Sequence, residues 1–239
     1  MIGTSRLLLS LLITVGVLVM PSSSGIVSIQ AAEPELGTGQ ASSIQAQRHS
    51  LTCEAAATAS AARTAGWAWL DEEAINDSMP SSWDPKEGFV GNMDGWQSAS
   101  LAVLQRNRSA GYGVEAPAVQ EVLGSLGVKS FYMEGGEFAG TVNLLHQYRL
   151  EGYGVVIWGT TRPWLAHAVY SSPYRFVEGE HAYEFIRLTT NEDGYVDGAL
   201  VGDPLDGSVW IIPIGYVERM MGYFGNMALV VEPPEQGSS

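Results

Sequence analysis

The sequence has a single cysteine, Cys53, among its 239 residues, so a disulfide within the chain is excluded. Basic residues are also few, because 12 lysines and arginines oppose 26 acidic residues and the formal net charge is -14. This balance disfavours long-range attraction to phosphate backbones and to anionic lipid, so we expect no nucleic-acid partner. A lone cysteine in such a protein is buried, paired with another chain or reactive.

Sequence motifs for common metals and cofactors are also missing. No zinc-ligand spacing, phosphate-binding glycine loop or serine-nucleophile elbow occurs in the sequence. Asn191, Asp193 and Asp197 do not have the spacing of a calcium loop and are typical of a surface turn. We therefore expect neither a cofactor nor a metal site.

The first residues resemble an export signal. Arg6 precedes an apolar run over 7–20, which is short for a membrane-spanning helix, and small residues follow it. We expect residues 1–31 to be a signal peptide that is cleaved after Ala31, with an uncleaved anchor as the alternative. Residues 32–46 are small and polar and predict a linker. The predicted location is secreted or extracytoplasmic, at the cell surface if the segment is retained, and without membrane contact after its removal.

Residues 47–232 predict one domain, followed by a polar tail over 233–239. An alanine-rich helix is predicted from Cys53 to about residue 67, and its small side chains suit a helix packed in the middle of a fold. Further helices are predicted over 68–78, 118–126 and 140–150, with a short strand over 129–133. Residues 79–115 are rich in glycine, proline, asparagine and tryptophan, and predict loops around a cleft.

The C-terminal third of the chain changes to apolar or alternating runs rich in β-branched and aromatic residues. Helices that precede strands, without regular alternation, predict an α+β fold in which a helical lobe carries Cys53 against an antiparallel sheet. The predicted sheet has about five strands, over 154–160, 181–190, 199–204, 208–214 and 227–233.

Cys53 has two features of a nucleophile. It begins the alanine-rich helix, and a helix N-terminus next to an imidazolium lowers the pKa of a thiol. Gln47 lies six residues upstream and offers a neutral donor that could hold an oxyanion together with a backbone amide. These residues are compatible with acyl transfer.

A general base for Cys53 must come from four histidines. His49 is too near Cys53 in sequence to reach it across a cleft, and His146 falls in a predicted helix. His181 begins a predicted strand and Asp203 ends a neighbouring one, so the carboxylate could fix the imidazole tautomer. Asp203 before a proline is equally typical of a turn, and His167 is the alternative base.

The segment QRHSLTCEAAATASAARTAG resembles the nucleophile segment of the papain-like bacteriocin-processing (double-glycine leader) peptidases, especially their stand-alone exported relatives. The resemblance extends over about residues 45–232. The similar blocks follow in order: GFVGNMDGWQ (88–97), GYGVEAPAV (111–119), GYGVVIWGTT (152–161), EHAYEFIRL (180–188), VGDPLDGSVW (201–210) and GYVERMMGYFGNMALVV (215–231).

This resemblance implies a papain-like fold in which Cys53 attacks, His181 serves as base and acid, Asp203 orients His181, and Gln47 helps form the oxyanion hole. The implied activity is hydrolysis of a peptide or protein substrate through a thioester, with no cofactor. Relatives tend to continue from the histidine into a hydrophobic strand ending in Gly-Tyr-Asp, whereas this chain has AYEFIRLTT. His167 in WLAHAVY resembles the same strand start.

Two other functions are compatible with these residues. A papain-like triad also supports transpeptidation or amide hydrolysis of cell-wall peptides. A non-catalytic, surface-exposed binding domain on the same fold would keep Cys53 as a buried thiol, and the departure after His181 favours that alternative. Thiol reactivity separates it from the enzymes, because a structural thiol resists alkylation until the protein unfolds.

Overall fold

The computed structural model describes residues 44–171 and 173–235. The predicted signal peptide, most of the predicted linker and most of the predicted polar tail lie outside the described residues. Within the described ranges, no helix combines the length and the apolar character needed to cross a membrane.

The alanine-rich segment forms the central helix of the fold, as its small side chains predict. It begins at Cys53 and ends before Gly66, and nearly all its side chains are buried. The described residues contain six α-helices: α1 (Cys53–Ala65), α2 (Glu72–Ser78), α3 (Leu101–Arg106), α4 (Ala116–Ser125), α5 (Phe138–Leu150) and α6 (Ile214–Gly222).

The strands form three sheets within the described residues. The strands are β1 (Val90–Gly91), β2 (Trp96–Gln97), β3 (Ala110–Gly113), β4 (Ser130–Met133), β5 (Gly154–Thr160), β6 (Ala168–Ser171), β7 (Tyr174–Val177), β8 (Glu180–Thr190), β9 (Val196–Asp203), β10 (Ser208–Pro213) and β11 (Ala228–Val231). The main sheet has the order β10-β9-β8-β5-β11-β4, and every neighbouring pair is antiparallel. A small sheet has the order β1-β3-β2, and β6 pairs with β7. The predicted α+β class with an antiparallel sheet is confirmed.

Helix α1 lies on one face of the main sheet, across β5 and β8. Gly154 explains the close approach, because a Cβ at this position would collide with the carbonyl of Ala61. Trp158 is fully buried on this face, and its Nε1 donates to the carbonyl of Val114 at 3.0 Å. Helices α5 and α6 cover the opposite face with buried residues such as Leu145 and Met220. The sheet is therefore covered on both sides, which holds α1 and β8 in a fixed relation.

Two regions differ from the sequence-based expectations. Residues 79–115 contain the short strands β1, β2 and β3 and the helix α3 in addition to loops. Their strands have only two to four residues, too few for an apolar period to be recognised. The main sheet has six strands, because the separate strand predicted over 129–133 joins its edge as β4.

Candidate active site

Cys53 lies where α1 meets β8. Its side chain is buried, and its thiol donates to Oε2 of Glu54 at 3.3 Å. The backbone N–H of Ala182 on β8 also hydrogen-bonds the sulfur. The start of α1 therefore places the thiol against the first residues of β8.

The environment of Cys53 opposes ionisation of the thiol. Burial raises the pKa of Cys53 well above its usual value, and the neighbouring carboxyl pair of Glu54 and Glu180 raises it further. The backbone N–H of Ala182 has the opposite, lowering effect. This differs from the expectation of a pKa lowered by a helix N-terminus, because two carboxyls share the buried site with the sulfur. The free protein thus holds Cys53 as a thiol at neutral pH.

His181 and Asp203 meet at the same end of the main sheet. His181 lies near the start of β8 and Asp203 ends β9, and His181 Nε2–H donates to Oδ1 of Asp203 at 2.7 Å. The His181 ring packs edge-on against Tyr183, with centroids 4.5 Å apart. Burial raises the pKa of Asp203, but the hydrogen bond from His181 and the N–H of Leu205 outweigh it, so the net pKa is lowered. The carboxylate is therefore charged and fixes the orientation of the ring.

His181 directly precedes Ala182, the residue that hydrogen-bonds the Cys53 sulfur. Cys53, His181 and Asp203 lie on three separate elements, α1, β8 and β9, and β8 carries both His181 and the N–H that contacts the Cys53 sulfur. With Nε2 engaged by Asp203, Nδ1 is the His181 nitrogen that can exchange a proton with a neighbouring group.

Gln47 lies on the segment that leads into α1. Its Nε2 donates to the carbonyls of His49 at 2.7 Å and Ser50 at 2.8 Å. Its backbone N–H donates to the carbonyl of Pro204 at 2.6 Å, next to Asp203. Gln47 therefore braces the turn before the nucleophile and ties it to the loop that carries Asp203.

The other three histidines have different partners. His167 is 64% exposed, and its Nδ1 lies 3.1 Å from Oε2 of Glu178. His49 Nδ1 lies 2.8 Å from Oδ1 of Asp94, on the surface. The Nδ1 atom of His146, on α5, accepts a long 3.4 Å bond from the Leu188 backbone N–H. Within the described residues, none of these contacts involves Cys53.

A protein of Bacillus anthracis assigned to the C39-like peptidases has a similar structure, with a TM-score of 0.60 and 18% sequence identity over 79% of this chain and 92% of that chain. This chain has the C39-like peptidase fold. The peptidase domain of Streptococcus ComA, a bi-functional ABC transporter involved in a quorum-sensing pathway, matches with a TM-score of 0.44 and 14% identity over 81% of this chain and 99% of that chain. No protein-family model matches the chain, and no curated protein is significantly similar to it.

On this C39-like peptidase fold, Glu54 and Glu180 are the site residues that the sequence analysis missed. Donor atoms of Cys53, Glu54 and Glu180 all lie within 4.8 Å of one another. Their places in the sequence could have indicated them, because one glutamate directly follows Cys53 and the other directly precedes His181.

A cavity of about 730 Å³ lies beside the candidate site, between residues 96–100 and residues 161–179. Gln97, in its wall, donates from Nε2 to the carbonyl of Glu180 at 2.7 Å. Trp96 and Leu165 contribute exposed apolar surface, and Arg162 adds a positive charge. The cavity therefore adjoins the start of β8 and has a lining of both polar and apolar residues.

Proposed function

We propose that this protein is a cysteine peptidase of the C39-like type, in which Cys53 is the nucleophile, His181 the base and acid, and Asp203 the orienting carboxylate. The observation that carries the proposal is the 2.7 Å bond between His181 and Asp203 at the start of β8, one residue before the N–H that bonds the Cys53 sulfur. The C39-like fold supports it, because a solved structure of similar fold is assigned to the C39-like peptidases.

The proposed reaction is acyl transfer to water. As the Cys53 sulfur forms a bond to the peptide carbonyl carbon, its proton passes to Nδ1 of His181. His181 returns that proton to the leaving amine when the C–N bond breaks, and a thioester remains. Water then attacks the thioester while His181 takes its proton, and the acid product and the free thiol are released.

The raised pKa of Cys53 assigns a particular task to His181. A thiol that stays protonated in the free site must lose its proton during attack, so His181 acts as a general base. This differs from a thiolate–imidazolium pair that exists before the substrate binds.

The tetrahedral intermediate requires hydrogen-bond donors for its oxyanion. We assign this role to the backbone N–H of Cys53 at the start of α1, with Gln47 as the second donor. Because both amide hydrogens of Gln47 now reach the carbonyls of His49 and Ser50, one must turn toward the substrate. The oxyanion hole would thus be completed on substrate binding.

The proposed substrate is a peptide or protein outside the cytosol, reached through a cleaved export signal over residues 1–31. A non-catalytic binding domain is the second candidate, because the buried Cys53 thiol with a raised pKa also suits a structural cysteine.

A mixed peptide library, incubated with the protein and read by mass spectrometry, tests the proposal. The wild type should produce cleavage products that Cys53→Ala does not. In parallel, the rate of Cys53 alkylation by iodoacetamide is followed from acid to alkaline pH in the wild type and in His181→Ala. Absence of cleavage, together with alkylation that His181→Ala leaves unchanged, overturns the peptidase and establishes the binding domain in its place.

A further inference from the structure

Two carboxyl groups lie in the protein interior directly behind the nucleophile. Glu54 is fully buried and Glu180 is 2% exposed. Gly113 lies between them with a φ of 134°, and a Cβ at this position would overlap oxygens of both side chains. Here the lack of a side chain gives the two carboxyls room to face each other.

The two glutamates have unequal hydrogen-bond partners. Glu54 accepts the Val114 N–H at 2.6 Å through Oε1 and the Cys53 thiol at 3.3 Å through Oε2. Both oxygens of Glu180 are buried, and no N–H or hydroxyl donor among the described residues reaches them. The polar neighbour of Glu180 is the carboxyl of Glu54, and two carboxyls can hydrogen-bond only by sharing a proton.

Electrostatics places that proton on the Glu180 side. Burial raises the pKa of Glu180 well above its usual value, and the Glu54 charge raises it further. Burial also raises the pKa of Glu54, but the Val114 N–H and the Cys53 thiol hydrogen-bond its charged form and oppose the rise. Two like charges at this distance in a buried site do not both ionise, so the pair titrates as one unit.

The other titratable groups that act on the pair and on Cys53 come from several elements. His181 lowers the pKa of Glu54, whereas the charge of Glu115 raises that of Glu180. His181 lies on β8 and Glu115 directly before α4. The charge of Glu180 in turn raises the pKa of Tyr112 on β3 and of Tyr183 on β8, and Asp203 on β9 acts on Tyr183.

We propose that Glu54 and Glu180 share one proton and act as a positioning pair, which holds the Cys53 hydrogen and one negative charge behind the sulfur, so that the nucleophile rests as a thiol until His181 accepts its proton. The inference rests on the proposed peptidase function and adds the means by which that site is kept unreactive between substrates. A resting thiol reacts slowly with alkylating agents and peroxide, because the thiolate is the reactive form.

The test is the pH midpoint of Cys53 alkylation by iodoacetamide in the full chain. In Glu180→Gln, an amide N–H replaces the shared proton and the net charge stays the same, so the midpoint should not move. In the double variant Glu54→Gln/Glu180→Gln the charge is removed, so the midpoint should fall by about one unit and alkylation at pH 7 should rise about tenfold. Glu184→Gln, a buried glutamate on β8 bonded to Thr64, is the matched control and should match the wild type.

Two outcomes overturn the shared proton. A fall of the midpoint in Glu180→Gln alone means that both carboxyls are ionised, and an unchanged midpoint in the double variant means that both are neutral. The infrared band of a protonated carboxyl gives a readout that does not need the double variant to fold. The difference spectrum between the wild type and Glu180→Gln at neutral pH should show the loss of one such band, and a difference spectrum without that loss contradicts the pair. His181→Ala in the same alkylation series reports on the peptidase proposal separately, because it leaves both glutamates in place.

Discussion

Two segments of this chain carry a His-Ala dipeptide at the start of a strand, LAHAVY over 165–170 and EHAYEF over 180–185, yet their histidines lie in opposite environments. His167 is 64% exposed, whereas the His181 side chain is 4% exposed and bonded to Asp203. Within the described residues, the strand after His167 pairs with β7 alone, while β8 lies between β5 and β9 inside the main sheet. The comparison teaches that the neighbours of an imidazole in space, and not its local sequence, make it suitable as a base.

Replacing each histidine by alanine gives the sharpest contrast between the two segments. His181→Ala should lower Cys53-dependent peptide cleavage by about a thousandfold, because it removes the proposed general base. His167→Ala should stay within about twofold of the wild type, since its ring contacts Glu178 at the surface. Cleavage rates, measured on peptides found with the wild type, decide between them. Equal losses of cleavage rate in both variants would contradict the assignment of His181 rather than His167 as the base.

Buried and exposed carboxyl groups also differ, and the difference predicts how the stability of the protein depends on pH. Burial raises the pKa of Glu115, whose charge acts on Glu180, from 4.5 to about 7. Between pH 4.5 and pH 7 the folded state binds more protons than the unfolded state. The contribution of protonated Glu115 to stability is therefore fully present below pH 4.5 and is lost as the pH rises through 7. Glu115→Gln should therefore raise the free energy of unfolding by about 3 kcal/mol at pH 8 and leave it unchanged at pH 4.5.

Urea unfolding at both pH values measures the Glu115 effect. Glu178→Gln is the matched control, because Glu178 is about half exposed beside His167 and should alter stability little at either pH. If Glu115→Gln changes the free energy of unfolding at pH 8 as little as Glu178→Gln does, the pKa of the buried Glu115 carboxyl is not raised.

The carboxylate partners of the two histidines give a third test. Asp203→Asn should reduce cleavage about a hundredfold, because the amide can keep a hydrogen bond to His181 but loses the charge that stabilises the imidazolium. Glu178→Gln, which changes the partner of His167 in the same way, should leave the rate within about twofold. Steady-state rates on one peptide suffice, and a neutral Asp203→Asn would speak against a triad.

The smallest expected effect concerns the support of the His181 segment. Gln97 Nε2 donates to the carbonyl of Glu180 at 2.7 Å in a partly buried position. Gln97→Ala should lower the free energy of unfolding by about 1 kcal/mol, since the carbonyl loses its side-chain partner. The exposed Gln105 on α3 is the control, and Gln105→Ala should leave the free energy of unfolding unchanged in the same urea titration. A silent Gln97→Ala would mean that β8 is held by its strand partners alone.

Long, periodic segments of this fold could be predicted from the sequence. The strand over 154–160 has the predicted bounds, and α1 begins at Cys53 as expected, because β-branched and aromatic apolar residues favour a strand and alanine favours a helix. The small sheet over 90–113 and the β6–β7 hairpin were not predicted, since their strands are too short for a period to stand out.

The sequence by itself determined that the chain has one possible thiol nucleophile, that this residue begins a buried helix, and that an antiparallel sheet follows it. Tertiary structure alone decided that His181 rather than His167 is buried and bonded to Asp203, and that the carboxyls of Glu54 and Glu180 lie beside the Cys53 thiol. The reason is physical: propensity and period act between near neighbours in the chain, whereas ionisation depends on burial and on charges brought together from different elements.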